Sequence, residues 1–535
     1  MDYAAEKQSF AWPVQKNFNF ARDVIDVHAA EIPDVTAIHW LGVDASEEKI
    51  SFSDMADRSK QAANVLQEAG IKRGDSVIVV VSKIPAWWEL FLGCLRIGAI
   101  VSPATVTLSG RDLDYRIKTA GASAVVIESN LLEKLSSSEE LQGVGVKIAV
   151  GEDTPGWHGY YGLKSTASKN HDCVDSAADE DAICYFTSGT TGYAKMTIHT
   201  HASSGVGHEI TGKYWLNLKQ GDLSWCITDT GWAKIGYSAL FGPWRMGSTV
   251  FVVEEPVFDP QHALSILQDF PINVFCAPPT VYRILVQNNL SGLKNNHLRD
   301  AVSAGEPLNA EVINTWKEAT DISIREGYGQ TETVIICASF PGVEIRPGSM
   351  GKPSPGIDLE VVDDDGELVE AGLEGNIAVR VKPHRPLGLF KEYRDNPEKT
   401  AEAFQGDWYY TGDRAYKDED GYFWFVSRSD DVIISSGYRI GPFEVESALQ
   451  EHPAVLENAV VSSPDDTRGE VVKAFVILAP GHDPSEELTK TLQDFVKSIT
   501  APYKYPRRIE YVTELPKTIS GKIRRVELRE KEWRK

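Results

Sequence analysis

The sequence predicts an α/β protein with a large N-terminal domain of parallel sheets flanked by helices, a β subdomain, and a small α+β C-terminal domain. Apolar strand-like runs alternate with helix-like segments along most of the chain. From about Gly356 the pattern changes to short alternating strands separated by Gly/Asp turns, which indicates the β subdomain. The length of 535 residues exceeds one typical hydrophobic core, so two or more domains are expected.

Hydrophobic runs predict the elements of the large domain in order. The run 76–81 is predicted to be a buried strand, and 87–97 the helix that follows it. The run 182–186 is a second buried strand. The same alternation continues with strand 271–276, helix 280–288, and strands at 301–304 and 322–325.

We place the domain boundary at 428–431, which gives predicted domains 1–429 and 430–535. Residues 422–426 read as the strand before it. A compact α+β pattern follows, with helices at 442–450 and 486–499 and strands at 457–461, 471–478 and 508–512.

Composition excludes several classes of protein. The net charge of −23 argues against a nucleic-acid partner, and no apolar run approaches the length of a membrane span, so we expect no integral membrane association. The cysteines are scattered without a CxxC pair, and we expect them to be reduced. The first residues lack a leader-like pattern and the last residues are no peroxisomal signal, so we expect a cytoplasmic protein. The basic tail after Lys497 is either a solvated helix or a site for anionic substrates.

The run from Thr187 to Lys195 has the composition of a phosphate-binding loop. Its glycines let backbone N–H groups approach an anion, its hydroxyls are further donors, and Lys195 supplies a positive charge. The spacing differs from GxxxxGK[ST], so on its own the run could equally be a flexible surface loop. The residues concerned are Thr187, Ser188, Gly189, Thr190, Thr191, Gly192 and Lys195.

Three further motifs follow in order: Tyr-Gly-Gln-Thr-Glu at 328–332, Tyr-Thr-Gly-Asp at 410–413, and Pro-Lys-Thr-Ile-Ser-Gly-Lys at 516–522. Together with the loop, they resemble the acyl-adenylate-forming superfamily, which includes acyl-CoA synthetases, adenylation domains of peptide synthetases, and luciferases. Segments 231–234, 275–283 and 501–507 are similar to those of the medium-chain acyl-CoA synthetases. The resemblance covers nearly the whole chain.

The resemblance implies an AMP-forming acid–CoA ligase of fatty acid metabolism. Such an enzyme activates a medium-chain monocarboxylic acid with ATP and Mg²⁺ to an acyl-AMP intermediate and transfers the acyl group to CoA. Alternatives are an aromatic-acid CoA ligase of the benzoate or salicylate type, a module that loads a carrier protein, and a non-catalytic nucleotide-binding regulator. A homo-oligomer is possible.

The resemblance also implies a role for individual residues. Lys522, Thr331 and Lys195 would be catalytic, Glu332 would bind Mg²⁺, and Asp430 would be the hinge of a C-terminal domain that rotates between two poses. Tyr328 would stack on adenine, and Asp413 would accept hydrogen bonds from the ribose. The remaining ATP-binding residues would be Gly305, Glu306, Pro307, Glu326, Gly327, Gly329, Gln330 and Arg428.

For CoA, the resemblance implies Ser436, Gly437, Tyr438, Arg439, Arg468 and Lys497, with Gly437 lining a narrow pantetheine tunnel. Trp232 would line the acid pocket. Ala194 departs from the family pattern, in which proline is usual. Physical reasoning leaves simpler alternatives open: Asp413 could be a capping residue, and Lys522, Arg468 and Lys497 could be surface side chains.

Overall fold

The structure is a computed structural model, and it describes residues 1–13, 15–187, 194–293, 297–429, 431–435, 438–465, 468–517 and 523–534. Several residues with predicted roles lie outside the described residues: Ser188, Gly189, Thr190, Thr191, Gly192, Asp430, Ser436, Gly437 and Lys522. The side chain of Arg439 is also outside the description.

Within the described ranges, the strands are β1 Thr36–Leu41, β2 Glu47–Ser51, β3 Ser76–Val80, β4 Ile100–Pro103, β5 Ala124–Glu128, β6 Val146–Val150, β7 His158–Gly159, β8 Asp181–Thr187, β9 Lys195–Thr200, β10 Leu223–Cys226, β11 Thr249–Val253, β12 Val274–Ala277, β13 Asp300–Ala304, β14 Ile324–Tyr328, β15 Cys337–Ala338, β16 Lys352–Pro353, β17 Leu359–Val362, β18 Glu374–Arg380, β19 Glu392–Tyr393, β20 Phe404–Gln405, β21 Trp408–Lys417, β22 Phe423–Arg428, β23 Ile433–Ser435, β24 Tyr438–Ile440, β25 Val455–Asp465, β26 Gly469–Leu478 and β27 Arg508–Tyr511.

The α-helices of the same ranges are α1 Tyr3–Ser9, α2 Val27–Glu31, α3 Phe52–Glu68, α4 Pro85–Ile97, α5 Gly110–Ala120, α6 Glu140–Gly143, α7 Tyr160–Thr166, α8 His201–Gly205, α9 Ala233–Gly236, α10 Gly242–Arg245, α11 Pro260–Asp269, α12 Pro279–Leu285, α13 Ala310–Thr320, α14 Pro397–Ala403, α15 Pro442–Gln450, α16 Glu486–Ile499 and α17 Arg525–Trp533. Short π-helical segments at Ala21–Asp26, Thr211–Trp215 and Tyr237–Phe241 and a 3₁₀ turn at Ser129–Leu131 complete them.

Two large sheets build the N-terminal domain. One has the order β16-β15-β14-β13-β12-β10-β11-β1-β2, and its pairs from β14 to β1 are parallel. The other has the order β19-β9-β8-β4-β3-β5-β6-β7 and is parallel from β8 to β7. Helices join the parallel strands, because a parallel pair needs a long crossover. The predicted α/β class is confirmed.

Helix α4 is buried on every side, as its continuous apolar sequence requires. Its indole Trp88 donates a hydrogen bond to the carbonyl of Ala239, 2.8 Å away. Its single guanidinium, Arg96, is fully buried and forms a two-pronged ion pair with Asp26. A charge buried this deeply must be paired, so this contact fixes the start of the domain against its core.

The predicted β subdomain is an antiparallel sheet, β17-β18-β21-β20, with β22 beside β21. The C-terminal domain has its own sheet, β24-β23-β26-β25 with β27 beside β26, and α15 and α16 share an apolar cluster with it. The predicted helices at 442–450 and 486–499 agree with α15 and α16.

Two predicted strands lie further along the chain than expected. The run 271–276 was expected as a strand, but β12 extends from Val274 to Ala277. The run 322–325 was expected as a strand, but β14 extends from Ile324 to Tyr328. Helix α13 ends on Asp321 in the left-handed conformation, with φ 63°, and the next two residues connect it to the strand. The displacement places Tyr328 at the carboxyl end of β14.

Candidate active site

A cavity of about 2040 Å³ lies where the carboxyl ends of β13 and β14 face β8, β21 and the C-terminal domain. Open α/β sheets bind ligands at this edge. All the described residues with a predicted ATP, metal or acid role line it: Thr187, Lys195, Trp232, Gly305, Glu306, Pro307, Glu326, Gly327, Tyr328, Gly329, Gln330, Thr331, Glu332, Asp413 and Arg428.

Strands β8 and β9 hold the two ends of the predicted phosphate loop side by side. Thr187 and Lys195 are register partners in this antiparallel pair. The carbonyl of Ala194 accepts a 2.7 Å hydrogen bond from the hydroxyl of Tyr115 on α5. The residue that replaces the usual proline is therefore fixed by a hydrogen bond from another element.

Tyr393 connects the loop to Glu332. The ammonium of Lys195 lies 4.9 Å from the centroid of the Tyr393 ring, and the Tyr393 hydroxyl donates a 2.8 Å hydrogen bond to Oε1 of Glu332. Burial raises the pKa of Glu332, whereas the Tyr393 hydrogen bond and the charge of Lys195 oppose that rise. A cation at this carboxylate would favour its ionised form.

These residues fit a magnesium ion held jointly with phosphates. Within the described ranges, no group of three or more His, Cys, Asp or Glu side chains could hold a metal by itself. Mg²⁺ is usually bound through one or two carboxylates together with substrate phosphates. Glu332 supplies one such carboxylate beside the predicted phosphate loop.

Asp413 is the centre of a hydrogen-bond network at the end of the β subdomain. Its Oδ2 accepts from the hydroxyl of Tyr328 at 2.6 Å and from Nε2 of Gln330 at 2.7 Å. Nε of Arg428, its register partner across β21 and β22, lies 3.4 Å from Oδ1. Tyr409 donates to Oε1 of Gln330. The carboxylate is buried and its orientation is fixed by three neighbours.

Two further carboxylates lie near the turn after β13. Glu326 is buried, and burial raises its pKa to about 8, against the effect of a hydrogen bond from the backbone N–H of Leu308. Glu306 accepts from Thr280 at 2.9 Å and from Arg283 at 2.8 Å. Thr280 and Arg283 belong to the segment 275–283, which resembles the medium-chain acyl-CoA synthetases. This segment therefore supplies both hydrogen-bond donors to Glu306.

Trp232 and Tyr185 of β8 line the cavity, and Tyr185 is buried. Phe186, the next residue of the strand, belongs to a different apolar cluster and lies under the guanidinium of Arg116. A Cβ placed on Gly236 would lie 2.5 Å from the Tyr185 hydroxyl, so α9 approaches the ring only because this position has no side chain. Lys234 turns back to the carbonyl of Ala304, 3.4 Å away.

His199 is buried against the Thr331 motif. Its Nε2 lies 2.7 Å from the carbonyl oxygen of Thr331, and burial lowers its pKa to about 4. The ring is therefore neutral near pH 7 and donates to this carbonyl, which holds the Thr331 turn in place. None of the sequence motifs includes His199, Tyr393, Tyr409 or Tyr115, and only the folded chain shows their contacts with the site.

The C-terminal domain closes one side of the cavity. Lys517 and Ile523, which flank the motif with Lys522, line the cavity and form an isolated β-bridge with each other. Tyr438 is 53% exposed and stacks on Tyr503 with ring centroids 4.4 Å apart.

The described residues predicted to contact CoA, namely Tyr438, Arg468 and Lys497, do not line the cavity in this arrangement. Arg468 lies beside Asp465, and Lys497 forms a 2.8 Å ion pair with Asp494. The structure therefore places the Lys522 flanks and the predicted CoA residues in different surroundings.

Comparisons with known proteins agree with the motifs. The AMP-binding enzyme family matches residues 25–393, and the AMP-binding enzyme C-terminal domain matches 444–522. Human mitochondrial acyl-coenzyme A synthetase ACSM3 is 47% identical over 544 residues, which cover 100% of this chain and 93% of the relative. Human mitochondrial ACSM4 is 48% identical over 533 residues and covers 98% and 92% of the two chains.

Solved structures share the fold. An anthranilate CoA ligase, AuaEII, in complex with anthranoyl-AMP is 31% identical with a TM-score of 0.87, covering 97% of this chain and 98% of its own. A benzoate CoA ligase from Burkholderia xenovorans LB400 is 27% identical with a TM-score of 0.85, covering 96% and 100% of the two chains.

The comparisons correct the predicted location. The relatives described above are mitochondrial proteins, so the cytoplasmic location expected from the sequence is wrong. That expectation rested on the absence of a leader-like pattern near Met1, and such an absence does not determine location. Separately, no helix in the described part of the chain has the length and apolarity needed to span a bilayer.

Both family matches lie in the domains that enclose the cavity, and the full-length relatives are acyl-coenzyme A synthetases. The motifs, the fold and the relatives agree, and the chain belongs to the AMP-binding enzyme family.

Proposed function

We propose that this protein is an AMP-forming acid–CoA ligase that activates a medium-chain monocarboxylic acid through an acyl-AMP intermediate. One observation carries the proposal: a single cavity is lined by Lys195, Thr331, Glu332 and Asp413 together with the residues on either side of Lys522. This set combines cations, hydroxyls and a metal-compatible carboxylate with an acceptor for ribose hydroxyls. Such a set suits a nucleotide better than an apolar ligand.

In the first step, a carboxylate oxygen of the acid attacks the α-phosphorus of ATP. A new O–P bond joins the carboxylate oxygen to the α-phosphorus. The bond from the α-phosphorus to the oxygen that bridges to the β-phosphate breaks, and pyrophosphate leaves. Negative charge accumulates around phosphorus, so cations and fixed donors lower the barrier. Lys195 and the loop after Thr187 hold the β- and γ-phosphates, and Thr331 contacts the α-phosphate. Glu332 would hold Mg²⁺, which would neutralise phosphate charge when bound.

In the second step, the CoA thiolate attacks the acyl carbon, the thioester bond forms, and AMP leaves with the electron pair of the broken C–O bond. By the family resemblance, Gly437 would line the pantetheine path, and Arg439, Arg468 and Lys497 would contact the CoA phosphates. The C-terminal domain, 430–535, turns about Asp430 between the two steps. The present arrangement, with Lys517 and Ile523 at the cavity, supports assignment to the first step.

A half-reaction assay tests the proposal. Purified protein with ATP and Mg²⁺ should exchange labelled pyrophosphate into ATP only when a suitable acid is present. Addition of CoA should release AMP and acyl-CoA in equal amounts. Acid-dependent pyrophosphate exchange without any thioester, even with CoA in excess, would instead favour a carrier-loading module. Absence of exchange with every acid would reject the ligase.

An aromatic acid is the second candidate, because two solved relatives are named anthranilate and benzoate CoA ligases. The rings of Trp232 and Tyr185 are compatible with either an alkyl chain or an aromatic ring. Benzoate and salicylate should therefore be assayed beside the alkyl acids. A role in fatty acid metabolism follows only if an alkyl acid is preferred.

A further inference from the structure

One contact between the two domains requires a residue without a side chain. Gly441, the residue before α15, lies against Val426 of β22. A Cβ placed on Gly441 would lie 2.3 Å from the Val426 carbonyl oxygen, 3.0 Å from Cγ1 and 3.1 Å from the carbonyl carbon. Real Cβ atoms essentially never approach another heavy atom closer than 3.0 Å. A side chain at this position is therefore incompatible with the observed arrangement of the domains.

The backbone conformation does not require glycine. Gly441 has φ −75° and ψ 125°, an extended conformation that alanine adopts without strain. The glycine is needed only because of the close approach of Val426. Because the clash is with a backbone oxygen, no rotamer change and no truncation of the Val426 side chain relieves it.

A second contact marks the same interface. The ring of Phe443 on α15 packs edge-on against Phe425 of β22, with centroids 5.9 Å apart. Phe425 and Val426 precede the predicted hinge at Asp430, whereas Gly441 and Phe443 follow it. Rotation about the hinge would separate these two pairs.

We propose that Gly441 is a positioning residue for acyl-AMP formation: its missing side chain allows α15 to dock on β22 in the pose that brings Lys517 and Ile523 to the cavity. This inference rests on the proposed function, since it assigns this pose to the first of two steps. Gly441 has no contact with substrate in this assignment and acts through the placement of the Lys522 motif. The pose for thioester formation does not need the contact.

The test is Gly441→Ala, assayed in the full-length protein for both half-reactions. Acid-dependent pyrophosphate exchange should fall about tenfold or more, because the clash shifts the population away from this pose. Thioester formation from supplied acyl-AMP and CoA should stay within about twofold of wild type. Phe443→Leu, which weakens the same contact without a clash, should shift the ratio of the two rates in the same direction by a smaller factor.

Gly162→Ala is the matched control, because Gly162 lies in α7 with no heavy atom within 4 Å of an added Cβ. It should change neither rate. Equal losses of both half-reactions in Gly441→Ala, or an unchanged pyrophosphate exchange, would overturn the inference while leaving the ligase assignment intact. A wild-type protein without acid-dependent exchange would reject the proposed function, and the inference with it.

Discussion

The hydroxyl of Tyr393 donates a 2.8 Å hydrogen bond to the carboxylate of Glu332. The two residues come from different parts of the chain, β19 and the turn after β14, and the ring of Tyr393 also faces the ammonium of Lys195. A single aromatic side chain thus joins the predicted magnesium ligand to the predicted phosphate loop.

Tyr393→Phe should move the acidic limb of the kcat/KM–pH profile to higher pH. The Tyr393 hydrogen bond lowers the pKa of Glu332 against the effect of burial. Its loss therefore raises that pKa, and a smaller fraction of the carboxylate is ionised at a given acidic pH. A hydrogen bond to a charged group is worth about 1.5–3 kcal/mol, so its loss should displace the limb measurably towards higher pH.

The control is Tyr422→Phe, which removes a hydroxyl bonded to the carbonyl of Glu344 away from the cavity. Its pH profile should match wild type. A limb that stays in place in Tyr393→Phe would show that Glu332 does not limit activity at low pH.

Glu332→Gln should weaken Mg²⁺-dependent turnover, because the amide keeps the size of the side chain and removes its charge. We expect a loss on the order of 10²-fold, comparable to the removal of one strong transition-state contact. Titration of activity with Mg²⁺ measures the change. Glu344→Gln, at a side chain that is 73% exposed, is the control. The same Mg²⁺ dependence in Glu332→Gln and wild type would contradict metal ligation.

Lys522→Ala should abolish acyl-AMP formation and spare thioester formation from supplied acyl-AMP. The prediction follows from the family resemblance and from the position of Lys517 and Ile523 at the cavity. Pyrophosphate exchange and CoA acylation are measured separately. Lys531→Ala, at an exposed position of α17, should leave both rates unchanged. Parallel loss of the two rates in Lys522→Ala would refute the assignment.

Glu326→Gln should stabilise the ligand-free protein more at pH 8 than at pH 5. Burial raises the pKa of Glu326 to about 8, so in the native state the carboxyl retains its proton where the unfolded chain has lost it. The unfolded state then binds fewer protons, and stability falls as pH rises from the unfolded pKa towards 8. Glutamine has no such proton to lose and still accepts the hydrogen bond from Leu308.

Thermal unfolding at the two pH values measures the effect. The Tm advantage of the variant over wild type should increase by on the order of 2 °C or more from pH 5 to pH 8. An advantage that is constant across pH would show that the carboxyl is ionised in the native protein.

Local sequence patterns were sufficient to predict the fold class, whereas the residues predicted to line the cavity were named through the family resemblance and are a minority of its lining. The spacing of apolar residues predicts β3, β8 and α16, because that spacing can be read from a short stretch of neighbouring residues. The motif residues from Tyr328 to Glu332 and Asp413 could be placed in one site because the family resemblance relates them. The network around Asp413 could not be derived, since it depends on the register of β21 with β22.

The features that the sequence did not predict arise from contacts between distant segments of the chain. Tyr115 and Tyr393 lie outside every motif, and only the folded chain brings them to Ala194 and Glu332. The raised pKa of Glu326 follows from burial, which no local pattern of charged residues indicates. The need for glycine at position 441 arises from the backbone of another domain.

A series of acids from acetate to dodecanoate should show maximal kcat/KM at intermediate chain length. The rings of Trp232 and Tyr185 offer apolar surface to an acyl chain, so each methylene that fits against them is removed from water. Burial of one methylene contributes about 0.8 kcal/mol, or about fourfold in affinity, until the pocket is full. Beyond that length, the chain must clash or remain in solvent, and the gain ends. Benzoate and salicylate, assayed at the same concentrations, separate the two candidate substrate classes. A maximum at acetate would contradict a medium-chain pocket, whereas a maximum at an aromatic acid would establish that the rings of the wall recognise a planar substrate.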